Sequence, residues 1–381
     1  MAENITESIE ERTGSEMTEN VKKRKVPGVT GNGTRRNVPN VILRAALCMT
    51  RQCWEQGMLA YSLLRSIAPV ETDLQKERVP EGELWEILKM IVYDMVLRQS
   101  GDGRLCNVED TPAVTDSAFC IPAVLAVGEA LGTQTCSSAG PSGHEAALQD
   151  PFIRAAQKNA DYLLRDAART EDGILYHMRG TTQIWADSTA FLPYALVITG
   201  HPKEGYRQMA GILDRLYLRE SGLYAHIWDE ESGSYPDRNA WSIGEGWILT
   251  GLERTWRVLP DEMERERADL KERFVSLMER VLPFQCEDGG FHDVMDVPST
   301  YMETETPAMI ACAIYAGIRD GILAEETDKK LLDRADAMAA YVEKKTLPDG
   351  RVTDAASSPA FDRPGTSVEC QAHAWVIPFL R

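Results

Sequence analysis

Asp187 stands in "QIWADST", residues 183–189, between an indole and an apolar run where an ionised carboxylate is costly to bury. Two readings are open for it. As a helix N-cap it accepts from the free N–H groups of Ser188 to Ala190, which lowers its pKa. As an acid catalyst in an aromatic pocket it has a raised pKa and gives up a proton near neutrality. Asp116, in "AVTDSAFC", occupies a similar loop-to-helix position, so two carboxylates at equivalent helix starts are expected to face one cavity. Paired carboxylates are the equipment of glycosidic chemistry.

Histidines and tryptophans gather near the same segments. "EDGILYH" (171–177), "ESGLYAH" (220–226) and "EDGGFH" (287–292) each carry an acid, a glycine, an aromatic and a histidine; "SGDGRL" (100–105) and "LPDGRV" (347–352) are degenerate copies. The repetition favours a site role for His177 and His226 and leaves His292 evenly divided between site and surface. Trp54, Trp185, Trp228, Trp241 and Trp247 are read either as core or as flat platforms for a sugar, with Gln183 beside them as a hydrogen-bonding partner. No histidine or cysteine pair has the close spacing of a zinc site, so zinc is not expected.

Something must bring these loops together. From residue 41 onward the apolar spacing predicts helices over about 41–66, 82–98, 114–132, 147–167, 185–199, 202–217, 241–258, 261–282, 304–323, 327–345 and 367–380, with sustained strand-like alternation nearly absent. Loops recurring every fifty to seventy residues match helical hairpins, which build either an open solenoid or a closed toroid. An all-α (α/α)6 toroid fits better, since roughly twelve helices close it. Residues 41–381 are therefore expected to form one barrel, the catalytic domain, behind a disordered tail over 1–40 that carries the basic run "KKRK".

Composition narrows the partners. The chain has 381 residues, 43% of them hydrophobic, and a formal net charge of −18. That charge argues against a nucleic-acid surface, and no apolar run reaches the roughly 18 residues of a membrane span. The eight cysteines are dispersed, which suits buried free thiols in a reducing compartment. The amino-terminal residues have no apolar signal-peptide core, so a cytoplasmic location is expected.

Four segments together resemble the unsaturated glucuronyl and rhamnogalacturonyl hydrolases, glycoside hydrolase families 88 and 105. "QIWADSTA" (183–190) is similar to their W-x-D-[ST] segment, and "SGLYAHIWDEES" (221–232) to their L-[YF]-x-H-x-[WY]-[DN] loop. "WSIGEGWILTGL" (241–252) is similar to W-x-R-G-N-G-W, and "GGFHDVMDVPSTYMETETPAM" (289–309) to a longer pattern ending Y-x-E-T-S-x-[ST]-A-M. The resemblance implies an (α/α)6 barrel that removes a 4,5-unsaturated uronic acid from lyase-generated oligosaccharides by hydrating its vinyl ether, without metal or cofactor. It implies Asp187 as proton donor and water activator, Asp116 as the second aspartate, and His177, His226 and the tryptophans as sugar contacts. Two departures stand out: Ile243 replaces the family arginine and Glu245 the asparagine. Glu245 is expected to repel a uronate, with Arg179 or Arg238 as candidates to compensate.

Three other readings compete. An ordinary inverting glycosidase uses Asp187 and Asp116 on a saturated sugar. A catalytically silent sugar-binding protein is motivated by Ile243 and Glu245. A terpene cyclase or prenyltransferase toroid ranks last, because its DxDD motif or zinc set is missing.

Overall fold

The computed structural model describes residues 41–67, 82–107, 111–136, 150–323, 329–357 and 360–381; the expected tail over 1–40 lies outside them. Among these residues, twelve α-helices alternate between an inner and an outer ring. The inner ring is α2 (Cys53–Ile67), α4 (Ile121–Cys136), α6 (Leu192–Ile198), α8 (Ser242–Val258), α10 (Glu305–Asp320) and α12 (Val368–Leu380). The outer ring is α1 (Val41–Met49), α3 (Glu83–Leu97), α5 (Pro151–Asp161), α7 (Pro202–Leu216), α9 (Glu264–Val281) and α11 (Lys329–Lys344). Each inner helix or the turn that leads into it touches the next, and α12 packs against both α1 and α2, so the two ends of the described chain close the toroid.

Patterning explains which helix goes where. The inner helix α10 buries every residue from Glu305 to Gly317, whereas the outer helix α9 buries one stripe, Leu270, Phe274, Leu277, Met278 and Val281. A helix apolar on all sides belongs inside, and one with a single stripe covers it.

The recurring loops run from an outer helix to the next inner one. Their glycines, Gly103, Gly173, Gly222, Gly289 and Gly350, all adopt positive φ, between +75° and +109°. That is the left-handed turn expected of the repeat, and it delivers the following residues to one end of the barrel.

The expected eleven helices become twelve, for local reasons. The block 41–66 breaks because the Glu55 carboxylate accepts from the Arg51 and Gln52 N–H groups, starting a new helix. The block 185–199 becomes the end of a strand, one 3-10 turn (Ala186–Thr189) and then α6. Likewise 114–132 begins as a 3-10 turn (Asp116–Cys120) before α4. Pro193 and Pro122 lie in the first turns of α6 and α4, where a missing N–H breaks no helical bond. Short strands were also underestimated: β1 (Gln183–Trp185), β2 (Ile227–Asp229) and β3 (Ser234–Asp237) form an antiparallel sheet, β4 (Phe291–His292) pairs with β5 (Met302–Glu303), and β6 (Ala355–Ser357) with β7 (Ala360–Gly365).

Both aspartate-bearing turns are backed by a glycine on a neighbouring inner helix. A Cβ on Gly57 of α2 would lie 2.5 Å from the backbone of Phe119, and one on Gly251 of α8 would lie 2.1 Å from the Thr189 carbonyl oxygen. Neither turn is able to retreat without moving its aspartate. Gly57→Ala and Gly251→Ala should each cost about 1–3 kcal/mol through overpacking, read as a lower denaturation midpoint; unchanged midpoints would mean that the turns yield freely.

Candidate active site

A cavity of about 240 Å³ opens at the inner-helix N-termini. Asp116, Asp187, His177, Trp54, Trp185, Trp241 and Trp247 all line it, brought together from five separate segments. Loop 170–182 is tied to the Asp116 segment through the Val114 N–H, which donates to the His177 carbonyl at 2.7 Å. The Ala186 N–H donates to the His226 carbonyl at 3.0 Å, joining the Asp187 turn to the next loop.

Each aspartate has its own histidine. His226 Nε2 faces Asp187 Oδ2 at 3.4 Å, and its Nδ1 meets Asp237 Oδ2 at 3.0 Å. Burial by itself would lower the pKa of His226, but bonding to Asp187 and Asp237 outweighs it and raises the value to about 9. Burial would likewise raise Asp187, yet His226 and then His177 bring it below the usual carboxylate range. His177 Nε2 stands 3.7 Å from Asp116 Oδ1, while its Nδ1 is held by Thr115 Oγ1 at 2.8 Å and Ser188 Oγ at 3.0 Å. Burial dominates at Asp116 and, with a contribution from Asp187, raises it to about 6 against the pull of His177.

The free protein departs from both readings in detail. Its side chain caps no helical N–H, because Trp185 occupies the N-cap position of the 3-10 turn, and its pKa is lowered by a histidine. Of the two aspartates, the raised one is Asp116.

Rings pack around this pair. Trp185 stacks on His177 with centroids 4.6 Å apart and planes 16° apart, and Trp241 lies 4.5 Å from His226. Gln183 stands behind the wall: its Oε1 accepts from the Trp185 indole at 3.0 Å. Trp228 is also outside the lining. It pairs in register with Ile184, and side chains alternate along a strand, so it occupies the sheet face opposite Trp185 and donates to Glu230 at 2.8 Å. His292 is bound to the Thr300 carbonyl at 2.8 Å and lies away from the lining.

The family departures resolve differently from expectation. Ile243 does line the cavity, but Glu245 turns away and accepts from the Tyr224 N–H at 2.8 Å, with burial raising its pKa to about 8. Arg238 pairs with Glu220, and Arg179 reaches the Thr111 carbonyl at 3.4 Å; neither lines the cavity. Two lining acids were missed, Glu305 and Glu369. The available signal was positional: Glu55, Asp116, Asp187, Glu245, Glu305 and Glu369 place one acid at, or in the turn before, the start of every inner helix.

Among the described residues no cluster of histidine, cysteine and acidic side chains has the arrangement of a metal site, and no helix is long and apolar enough to cross a membrane. Cys53, Cys106, Cys120, Cys312 and Cys370 are buried free thiols, whereas Cys48 is exposed.

The ion pair predicts the sign of a pH effect. Because the folded pKa of His226 is raised, its contribution to stability is complete below about pH 6.5 and is lost as pH rises through about 9. Asp237→Asn should move the His226 titration downward in a heteronuclear NMR experiment, and His226→Gln should cost about 3 kcal/mol by stranding Asp187. An unchanged His226 titration in Asp237→Asn would remove Asp237 from the electrostatics of the site.

The family model for Glycosyl Hydrolase Family 88 matches residues 143–366. The chain is similar to the unsaturated rhamnogalacturonyl hydrolase YesR of Bacillus subtilis, 25% identical over 190 residues, 45% of this chain and 54% of that protein. It is also similar to the unsaturated 3S-rhamnoglycuronyl hydrolase of Formosa agariphila, 25% identical over 156 residues, 36% of this chain and 41% of that protein. The chain thus spans about half the length of these curated relatives. A possible family 105 member from Klebsiella pneumoniae superposes with a TM-score of 0.67 at 17% identity, covering 86% of this chain and 81% of the other. A family 105 glycoside hydrolase from C. acetobutylicum gives 0.63 at 17% identity, covering 90% and 99%. These superpositions show the six-hairpin fold, and with the family match running through the Asp187 turn, the His226 loop and α10, the chain belongs to glycosyl hydrolase family 88.

Proposed function

We propose that this protein is a hydrolase that removes a 4,5-unsaturated uronic acid from the non-reducing end of an oligosaccharide by hydrating its vinyl ether. The observation that carries this reading is the His226–Asp187 pair at the wall of a tryptophan-lined cavity. Together these two side chains hold one proton across the neutral range, since His226 keeps it until about pH 9.

The pair supports a proton cycle. His226 Nε2–H passes its proton to Asp187 Oδ2, and Asp187 delivers it to C4 of the double bond. Positive charge then develops at C5, next to the ring oxygen. Water adds at C5, and its released proton returns through Asp187 to His226, so the pair ends as it began. The resulting hemiketal opens and the rest of the oligosaccharide leaves. Asp116 is the second carboxylate of the reaction and orients the sugar ring, as a neutral acid below about pH 6. Trp54, Trp185, Trp241 and Trp247 supply stacking surface. The names of the relatives, hydrolases of unsaturated rhamnogalacturonyl and rhamnoglycuronyl groups, support the same substrate class.

The purified protein should bleach the ultraviolet absorbance of lyase-generated disaccharides. Asp187→Asn should fold, keep the wild-type melting profile to within a few degrees, and turn over about a thousandfold more slowly, the scale of a lost general acid-base catalyst. Cleavage of saturated glycosides in place of unsaturated ones would transfer the two aspartates to ordinary inverting hydrolysis; sugar binding without any turnover would make the protein a binding module.

A further inference from the structure

The ring order of the inner helices sets α10 and α12 across the barrel from α4 and α6. Glu305, the first residue of α10, and Glu369, in the first turn of α12, therefore line the wall facing Asp116 and Asp187. Glu305 is 3% exposed. Its Oε2 is bonded to Ser367 Oγ at 2.6 Å, while Oε1 is buried without a hydrogen-bond partner on this wall. An orphaned oxygen on a side chain this deeply buried is costly unless a ligand meets it.

Among the described residues, no lysine or arginine lines this cavity. His226 Nδ1 is held by Asp237 while its Nε2 faces Asp187 Oδ2 at 3.4 Å, and His177 Nδ1 is held by the Thr115 and Ser188 hydroxyls while its Nε2 faces Asp116 Oδ1 at 3.7 Å. Among the described lining residues a sugar carboxylate thus meets imidazoles already facing carboxylates, and no lysine or arginine. Two carboxyls on one wall of a cavity, away from any cation, disfavour each other's ionised form. A protonated carboxyl is an O–H donor.

Resting on the hydrolase reading above, we propose that Glu305 and Glu369 form an acid clamp: as neutral O–H donors they bind the carboxylate of the uronyl group and set the specificity of this site for an anionic sugar. The clamp seats the ligand's charge across the cavity from ionised Asp187. Among the described residues the same cavity is lined by Ile243 and by no arginine, and Glu369 lies beyond the residues that match the family, 143–366. The groups facing it are defined. Burial and then Glu55 raise Glu369 to about 8, opposed by the Trp54 indole and added to by Asp116. Burial, Glu369 and Glu303 raise Glu305, with Asp187 adding and Ser367 opposing. Cys370 lies beside both, and Arg51 borders the adjoining surface hollow that shares Glu369.

The test is a tryptophan-fluorescence titration of the full chain with sodium glucuronate, glucuronic acid methyl ester and glucose. At pH 6.5 glucuronate should bind on the order of tenfold tighter than the ester, the scale of one charge-assisted hydrogen bond. At pH 8.5 that preference should shrink several-fold as the clamp ionises. Glu369→Gln, which keeps an N–H donor and cannot titrate, should retain the preference at both pH values; the Glu305→Ala/Glu369→Ala double variant should lose it while still binding the ester. Equal binding of glucuronate and ester, or the same pH loss in Glu369→Gln, overturns the clamp. Turnover of an unsaturated disaccharide is measured in parallel: a glucuronate preference without turnover sinks the hydrolase reading and leaves the clamp standing, whereas turnover without the preference does the reverse.

Discussion

Six inner helices start at one end of the barrel, and each brings the partial positive charge of unpaired N–H groups to the same small space. This convergence governs the chemistry of the whole structure. It favours negative side chains at the helix starts, and the chain supplies one at each, from Glu55 round to Glu369. Six carboxylates at one mouth are not six equal charges, however. What distinguishes them is the partner each one finds: a histidine for Asp187, a backbone N–H for Glu245, helix-start N–H groups for Glu55, and burial with little compensation for Asp116, Glu305 and Glu369. A single architectural constraint thus produces both an ionised carboxylate and protonated ones within one cavity.

The loops do the positioning, and this part was open to reading. A glycine in the left-handed region recurs in every copy, and the periodicity of those loops is what makes the toroid legible in the sequence. Asp187, Asp116, His177 and four of the five tryptophans were recognisable because they sit directly after such loops or at helix starts. Trp228 was not separable from Trp185 on composition. Only the strand register, Ile184 opposite Trp228, decides which indole faces the sugar side, and a three-residue strand leaves too short an alternation to read.

Glu305 and Glu369 were hidden for another reason. Each looks like an ordinary first-turn acid, and an acid at a helix N-terminus needs no function to explain it. Their significance comes from tertiary placement: α10 and α12 close the ring, so their starts fall on the wall facing the two aspartates. Glu245 makes the converse point. It looks hostile to a uronate in the sequence, yet it lies off the cavity lining with one oxygen accepting from the Tyr224 N–H, and the residue that changes the wall is Ile243.

The contrast between Asp187 and Asp116 follows from the same logic. Both begin as acids in a 3-10 turn pinned by a glycine of a neighbouring helix, both are buried from most solvent, and both have an imidazole nearby. The imidazoles differ in what stands behind them. His226 is backed by Asp237, a second carboxylate that favours its charged form, while His177 is backed by the Thr115 and Ser188 hydroxyls, which carry no charge. Burial therefore prevails at Asp116, whereas the closer, carboxylate-backed imidazole prevails at Asp187, and in the proposed reaction that is what lets Asp187 act as the end of a proton relay where an isolated helix-start acid would have been only a cap.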